Sequence, residues 1–277
     1  MKLKRPLPPG RSLEQVENHY KVEKAMAAEL KQVGREKRKE IYAVMYNKLF
    51  KQVPDHPRLQ RRESKRLTLE SNRSKFNLVK KFVDKDTVFV EFAPGDCKFV
   101  KEIAKHASYV YGVDISDQTG EDENFPDNFE LITYDGYKLD IEDESVDVVF
   151  SDQLVEHLHP EDTRHHFQLV NRILIKNGLY VFRTPHVFAG PHDISKYFSD
   201  EAEGFHLKEW TYSELVRLLR EINYAKFWSL QGIKSIRLKV PILYLIFFEK
   251  SMDLLPGYYK RLTFRYFMPS ICMVAKK

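Results

Sequence analysis

Between Thr87 and Pro185 the chain alternates short β-rich runs with helical patterns. "TVFVEF" (87–92) leads into a helical pattern over 96–107 and then "YVYGVD" (109–114). A polar, acidic loop, "QTGEDENFPDN", separates this from "FELITYD" (129–135) and "SVDVVFSD" (145–152). A helix over about 160–175 then precedes "GLYVFRTP" (178–185). Parallel strands need a crossover between neighbours, usually a helix, so this order specifies an α/β fold with a largely parallel sheet.

What flanks the alternating segment differs in kind. Over residues 12–51, apolar positions such as Val16, Tyr20, Ala27, Leu30, Ile41, Met45 and Leu49 recur at helical spacing, with Gly34 separating two helices. Pro54 and Pro57 break the pattern, and a third helix over about 60–83 leads into the first strand. No strand signal precedes residue 84. Residues 1–83 are therefore expected to form a helical cap or lid, and residues 84–277 the sheet domain. Past the fifth strand, "TYSELVRLLREI" reads as a capped helix starting near Thr211. "YAKFWSLQG" and the final "PSICMVAKK" are expected to pair antiparallel. The predicted architecture is a Rossmann-like, mostly parallel seven-stranded sheet with helices on both faces and an N-terminal helical cap.

Charge is distributed unevenly. Residues 1–85 carry 23 Lys/Arg against 10 Asp/Glu, residues 86–225 carry 12 against 28, and residues 226–277 carry 10 against 2. The basic N-terminal segment is expected to dock on the acidic middle of its own chain rather than on nucleic acid. Cys97 and Cys272 show no metal-ligand or disulfide spacing, and the basic start "MKLKRPLPPGRS" lacks the apolar core of a signal peptide. A reducing, cytoplasmic setting is expected.

In an open parallel sheet, ligands sit beyond the carboxyl ends of the strands, where strand order reverses. The strand ends here carry Glu91, Asp114, Asp135 and Ser151-Asp152. Asp114 follows Gly95 by 19 positions, the spacing at which an acid after the second strand reaches a ribose diol. A dinucleotide demands several glycines for its pyrophosphate, and "EFAPGDC" supplies only Gly95. An adenosine ligand without phosphate needs fewer, and a cationic amino-acid portion would welcome Glu91. S-adenosylmethionine has that chemistry.

The successive segments "VFVEFAPGDC", "VYGVDIS", "ITYDGYKLDIEDESVDVVFSDQLVEHLHPED" and "RILIKNGLYVFRTP" resemble the motifs of class I S-adenosylmethionine-dependent methyltransferases over roughly residues 85–185. The resemblance implies that Glu91, Ala93 and Gly95 cradle the methionine part and that Asp114, with Ile115 beside it, holds the ribose. It implies that Asp135, with Gly136 and Tyr137, meets the adenine, and that Ser151, Asp152 and Gln153 border the transferable methyl. Ala93 and Cys97 stand where the family usually has glycine. That departure motivates an alternative, a cofactor-binding regulatory module without turnover.

Methyl transfer to an alcohol benefits from a base. The stretch "RTPHVFAGPHDISKYFSDEAEGFHLKEWT" (residues 183–211) follows the fifth strand, where an acceptor loop (185–210) belongs. It resembles a segment of bacterial methyltransferases acting on glycans and other small metabolites. Its functional reading makes His192 the base and Asp193 the group that orients it; the plain alternative is that Asp193 caps a helix. His157, in the "EH" pair, is a second base or a structural histidine. A metal site of His186, His192, Asp193 and His206 is conceivable, but nothing enforces convergence, and no metal is expected. The expected reaction is methylation of a small-molecule acceptor, with a sugar or lipid-linked glycan hydroxyl as candidates; RNA is the alternative acceptor, disfavoured by the acidic middle segment. "VPILYLIFFEKSMDLLPGYYKRLTFRYFMPS" is expected to pack on the sheet, with peripheral membrane contact as its functional reading.

Overall fold

A computed structural model of the chain describes residues 1–119, 124–232 and 236–277. Among these residues, eight strands form one sheet in the order β3-β2-β1-β4-β5-β8-β6-β7. The strands are β1 (Val88–Phe92), β2 (Tyr109–Asp114), β3 (Phe129–Thr133), β4 (Val146–Asp152), β5 (Leu174–Pro185), β6 (Lys226–Gln231), β7 (Leu238–Pro241) and β8 (Ser270–Lys276). Strands β1 to β5 run parallel, while β8 pairs antiparallel with both β5 and β6. The order reverses between β1 and β4. The expected terminal pair is therefore present, and the sheet is one strand wider than expected because β7 adds to the edge of β6. Part of the acidic loop between β2 and β3, Gly120 to Glu123, lies outside the described residues.

Alternating side chains along the strands feed two cores. Val90, Phe92, Val149, Tyr180 and Phe182 face α6 (Pro160–Ile173) and α7 (Tyr212–Glu221). Phe89, Val110, Val148, Phe150 and Val181 face α4 (Lys65–Val79) and α5 (Lys98–Ala104). Helix α7 starts on a capping box, with Thr211 and Glu214 exchanging backbone bonds, as its sequence predicts.

The N-terminal helices are α1 (Leu13–Gln32), α2 (Arg35–Gln52), α3 (Pro57–Glu63) and α4. Ser12 and Gln15 form the capping box of α1, and Gly34 is the N-cap of α2. The single helix expected over 60–83 is two, because Ser64 ends α3 and caps α4. Met26, Leu30, Ile41, Met45 and Leu49 make a small third core with Phe205 and Leu207 from the segment after β5. Polar locks join the same surfaces. Arg38 is buried and forks onto Asp162 at 2.7 and 2.9 Å, with Glu161 at 2.9 Å. The N-terminal helices thus rest on the carboxyl ends of the strands.

The apolar stretch from Val240 onward is mostly helical: α8 (Ile242–Asp253) and α9 (Gly257–Phe267). Ile242, Leu245, Phe264 and Met268 pack on the sheet as expected, but the opposite faces of both helices do not.

Candidate active site

A cavity of about 720 Å³ opens where the strand order reverses, between the ends of β1, β2 and β4 and the roof formed by α1 to α4. Its floor is the turn after β1. Ala93 donates its backbone N–H to Val113 at 2.8 Å, and Gly95 donates to Asp114 Oδ2 at 3.2 Å. The turn uses left-handed backbone at Ala93 (φ 56°), Gly95 (φ 63°) and Cys97 (φ 55°). Left-handed geometry normally calls for glycine. Here the geometry is kept without it at two of three positions. Cys97 is fully buried, and burial raises its thiol well above the ordinary range, so it is a packing residue.

Asp114 is buried at the cavity wall and accepts from Gly95, from Ile115 N at 2.8 Å and from Ser116 N at 3.4 Å. A carboxylate has about four acceptor positions. Three are in use, so one is left for a hydroxyl from the cavity. Ala93, Gly95, Ile115, Gly136, Asp152 and Gln153 also line the space. Gln153, like Ala93, has left-handed backbone (φ 57°).

Four residues of the expected cofactor set lie elsewhere. Asp135 accepts from Tyr137 N at 2.8 Å and Lys138 N at 2.7 Å and pairs with Lys39 at 3.3 Å, so it builds its own turn and faces outward. The wall there consists of Tyr134 and Gly136. Tyr137 lies between Arg35 and Lys39, whose cationic groups are 4.8 and 5.3 Å from its ring. Ser151 is buried against the Tyr180 hydroxyl at 2.7 Å. Glu91 is also buried; its Oε1 accepts from Lys75 Nζ at 2.8 Å, and its Oε2 has no partner. The expected ammonium on Glu91 is thus already supplied by α4. Lys75 reaches the cavity, and Arg183 forks onto Asp152 at 2.7 Å through each oxygen. Neither partner was legible from spacing.

These residues fit S-adenosylmethionine. The wall holds an acid with a spare acceptor position for the ribose and a glycine-like turn. Asp152, held by Arg183, adds a second carboxylate to the cavity wall, which suits a cationic ligand.

The loop after β5 contributes His192, Asp193, Lys196 and His206 to the cavity wall, and the 3₁₀ turn Val155–His157 contributes His157. His157 meets the Phe205 carbonyl through Nδ1 at 2.9 Å. A carbonyl only accepts, so Nδ1 carries the proton and Nε2 keeps a lone pair. Burial, with repulsion from His206 and Arg58, pushes its pKa down to about 3, so the ring is neutral. His206 behaves oppositely. Burial opposes its charge, but Glu209 at 2.7 Å, Glu156 and Asp193 raise its pKa to about 9. Glu156 is driven up to about 7 by burial, and its Oε1 is unpartnered.

The pairing of His192 with Asp193 is not what the structure contains. Asp193 accepts from Ser195 N at 3.0 Å and Gly204 N at 2.8 Å, the plain capping role. His192 instead meets the His186 carbonyl through Nε2 at 3.3 Å, and burial lowers its pKa. The metal set considered from sequence does not converge either, because His186 Nε2 is bound to buried Glu249 at 2.8 Å. Among the described residues, two other groups have metal-like proximity: His19–Glu23–His56 and Glu156–His157–His206. In the first, Arg11 donates to His19 Nδ1 at 3.0 Å and Arg58 N donates to His56 Nδ1 at 3.1 Å. Both Nε2 atoms therefore carry protons; that of His19 donates to Glu23 at 2.7 Å, and that of His56 faces it at 3.8 Å. Burial opposes the Glu23 charge, yet these imidazoles and Phe205 N at 3.2 Å hold its carboxyl well below the usual range. Glu23 thereby joins α1 to the segment after β5. Gly204 permits this closeness, since a Cβ there would lie 2.6 Å from Glu23 and 2.8 Å from Asp193.

Residues 90–182 match the family model described as "Methyltransferase domain". Residues 90–182 form a methyltransferase domain, and the match supports a class I S-adenosylmethionine-dependent enzyme. Its cofactor is S-adenosylmethionine. No curated protein sequence matches this methyltransferase. Its fold is similar to that of an S-adenosylmethionine-dependent methyltransferase from Archaeoglobus fulgidus (16% identity, 75% of this chain and 94% of that one, TM-score 0.52). It is also similar to phosphoethanolamine N-methyltransferase 1 from Haemonchus contortus, solved with phosphoethanolamine and S-adenosylhomocysteine (15% identity, 86% and 49%, TM-score 0.53). A third likeness is to a chain of the Haloferax volcanii complex of the Trm112 methyltransferase activator with a methyltransferase (15% identity, 76% and 90%, TM-score 0.52). At these identities the likeness concerns the fold.

Proposed function

We propose that this methyltransferase methylates a hydroxyl of a small-molecule acceptor, with a sugar or lipid-linked glycan as the candidates, and that His157 is the base. The observation carrying this reading is a neutral imidazole on the cavity wall whose one ring proton is held by a backbone carbonyl. The cofactor supplies an electrophilic methyl on a sulfonium. His157 Nε2 would accept a hydrogen bond from the acceptor hydroxyl and take its proton as that oxygen gains the methyl. His206, held cationic by Glu209, lies 5.0 Å from His157 between ring centroids; its charge disfavours a second proton on that imidazole, so proton uptake comes late, once the methylated oxygen has become strongly acidic. His192, whose ring is likewise tied to a carbonyl, lines the same space as a second acceptor contact.

The roof supports a small acceptor. A cavity of about 720 Å³ lies within the usual small-molecule range of about 300–1,000 Å³. Closure by α1 to α3 suits alignment of two small reactants, which can be worth on the order of 7–11 kcal/mol in rate. The test offers radiolabelled methyl donor to fractionated metabolite, lipid and RNA pools, with wild type and His157→Gln. Label entering a metabolite or lipid-linked glycan fraction, and falling on the order of 10²-fold in the variant with cofactor binding intact, is expected. Label entering only RNA would overturn the proposal.

A further inference from the structure

Helices α8 and α9 turn an unpartnered apolar face to solvent. On α8 it consists of Leu243, Tyr244 and Phe247, the last 73% exposed; Leu254, in the connection, is 87% exposed. On α9, Tyr258, Leu262 and Tyr266 recur every four residues, one helical stripe, and Tyr266 and Phe267 are 78% and 76% exposed. The inward face of each helix is fixed by Leu245, Phe264 and Met268 in the core, so the outward stripe cannot rotate inward. A contiguous apolar surface rich in Phe and Tyr marks an interaction site.

Its rim is basic. Residues 226–277 hold only two acids. Glu249 is buried on His186, and Asp253 pairs with Lys260 at 2.9 Å. Lys239 and Lys250 are exposed beside the stripe. Arg5 and Arg265 are lowered from the ordinary arginine value by burial and by neighbouring arginines, Arg261 among them, and Arg261 pairs with Asp200 at 2.6 Å. A second copy of the chain would meet this surface across a twofold axis and oppose cation to cation. A bilayer with anionic headgroups matches both the stripe and the rim. No helix among the described residues is long and apolar enough to cross a membrane; a 12-residue helix with an aromatic face and basic flanks is suited to lie within the interface plane.

We propose that the α8–α9 face docks the enzyme on an anionic membrane surface, with Tyr244, Phe247, Leu254 and Tyr266 entering the interface and Arg5, Arg261 and Arg265 meeting lipid phosphates. The docked helices are braced to the acceptor loop. Arg265 donates to the Ala189 carbonyl at 3.2 Å, and the Phe264 ring lies 4.3 Å from His186 and 5.1 Å from Phe188. This places the segment bearing His192 next to the membrane, whatever the acceptor is.

The full-length chain is sedimented with vesicles of phosphatidylcholine alone and of phosphatidylcholine mixed equally with phosphatidylglycerol. The wild type is expected to pellet with the anionic vesicles and remain in solution with the neutral ones. Phe247→Asp with Tyr266→Asp abolishes pelleting, and Arg265→Gln alone weakens it on the order of fivefold. Retained S-adenosylmethionine binding by these surface variants shows that they are folded. Failure of the wild type to pellet with anionic vesicles, or equal pelleting with neutral ones, overturns the proposal. So does a dimer in sedimentation velocity that the two aspartates dissociate, since the face would then belong to a second copy.

Discussion

Stability should fall steeply at alkaline pH, because His206 is buried in its charged form. Its ordinary value is 6.5, and Glu209, Glu156 and Asp193 raise it to about 9 in the folded chain although burial opposes the charge. The folded state therefore binds the proton more tightly. The resulting stabilisation is fully present below about pH 6.5 and is lost as pH rises through about 9. At about 1.4 kcal/mol per pH unit this amounts to about 3 kcal/mol, a large share of a typical 5–15 kcal/mol domain stability. Glu156 also titrates, raised by burial from 4.5 to about 7, but its contribution is lost between those values, mostly at lower pH. Glu156→Gln removes that overlap. Urea unfolding of Glu156→Gln and of Glu156→Gln/His206→Gln should then be compared between about pH 6 and about pH 10. The first should lose about 2–3 kcal/mol more than the second, slightly below the full figure because Glu156 no longer helps hold the proton. Parallel curves would refute a charged His206.

Three further outcomes test the site and its roof. Asp114→Asn exchanges an acceptor for a donor facing backbone N–H groups and should weaken S-adenosylmethionine binding about 10–100-fold by calorimetry, as for loss of a hydrogen bond to a charged group; unchanged affinity would remove Asp114 from the ribose role. Ala93→Gly relieves a left-handed residue costing about 1–2 kcal/mol, less about 0.5–1 kcal/mol for glycine's added freedom. Its urea midpoint should rise accordingly, and a fall would show that the alanine methyl matters more than its backbone. Arg38→Met strands Asp162 and should cost about 3–5 kcal/mol, largely recovered in Arg38→Met/Asp162→Leu; a loss below about 1 kcal/mol would mean that the lid is held by its apolar contacts alone.

Strand periodicity is local, so β1 to β5 and the turn at Gly95 are legible from sequence. So is the capping box at Thr211, because a cap is a property of four adjacent residues. The partners of the strand-end acids are not. Lys75 reaches Glu91 across 16 residues, and Arg183 reaches Asp152 across 31, distances set by packing. For the same reason Asp193 could be read as orienting His192, although adjacency in sequence points the two side chains to different partners. Asp135 shows another limit: a family position can be occupied by the expected residue while its carboxylate closes its own turn. Strand β7 escaped because it is four residues long and opens an apolar run whose continuation is helical.

The basic N-terminal segment shows why charge alone is a weak guide to partners. Its lysines and arginines meet the acids of the middle segment within the molecule: Arg38 on Asp162, Lys75 on Glu91, Lys39 on Asp135, Lys24 on Glu203 and Lys4 on Asp200. Two of these pairs are buried or nearly so, and the others hold the edges of the lid. Adding salt should screen the exposed edges first while the buried Arg38–Asp162 pair persists. The roof should therefore loosen at its rim before it detaches. That order matters for the chemistry, because Glu23, the residue that ties α1 to Phe205, stands on the acceptor side of the cavity. An opening that begins at the exposed Lys24 and Lys4 contacts would admit an acceptor while Asp114 and the Gly95 turn, on the sheet side, stay in place.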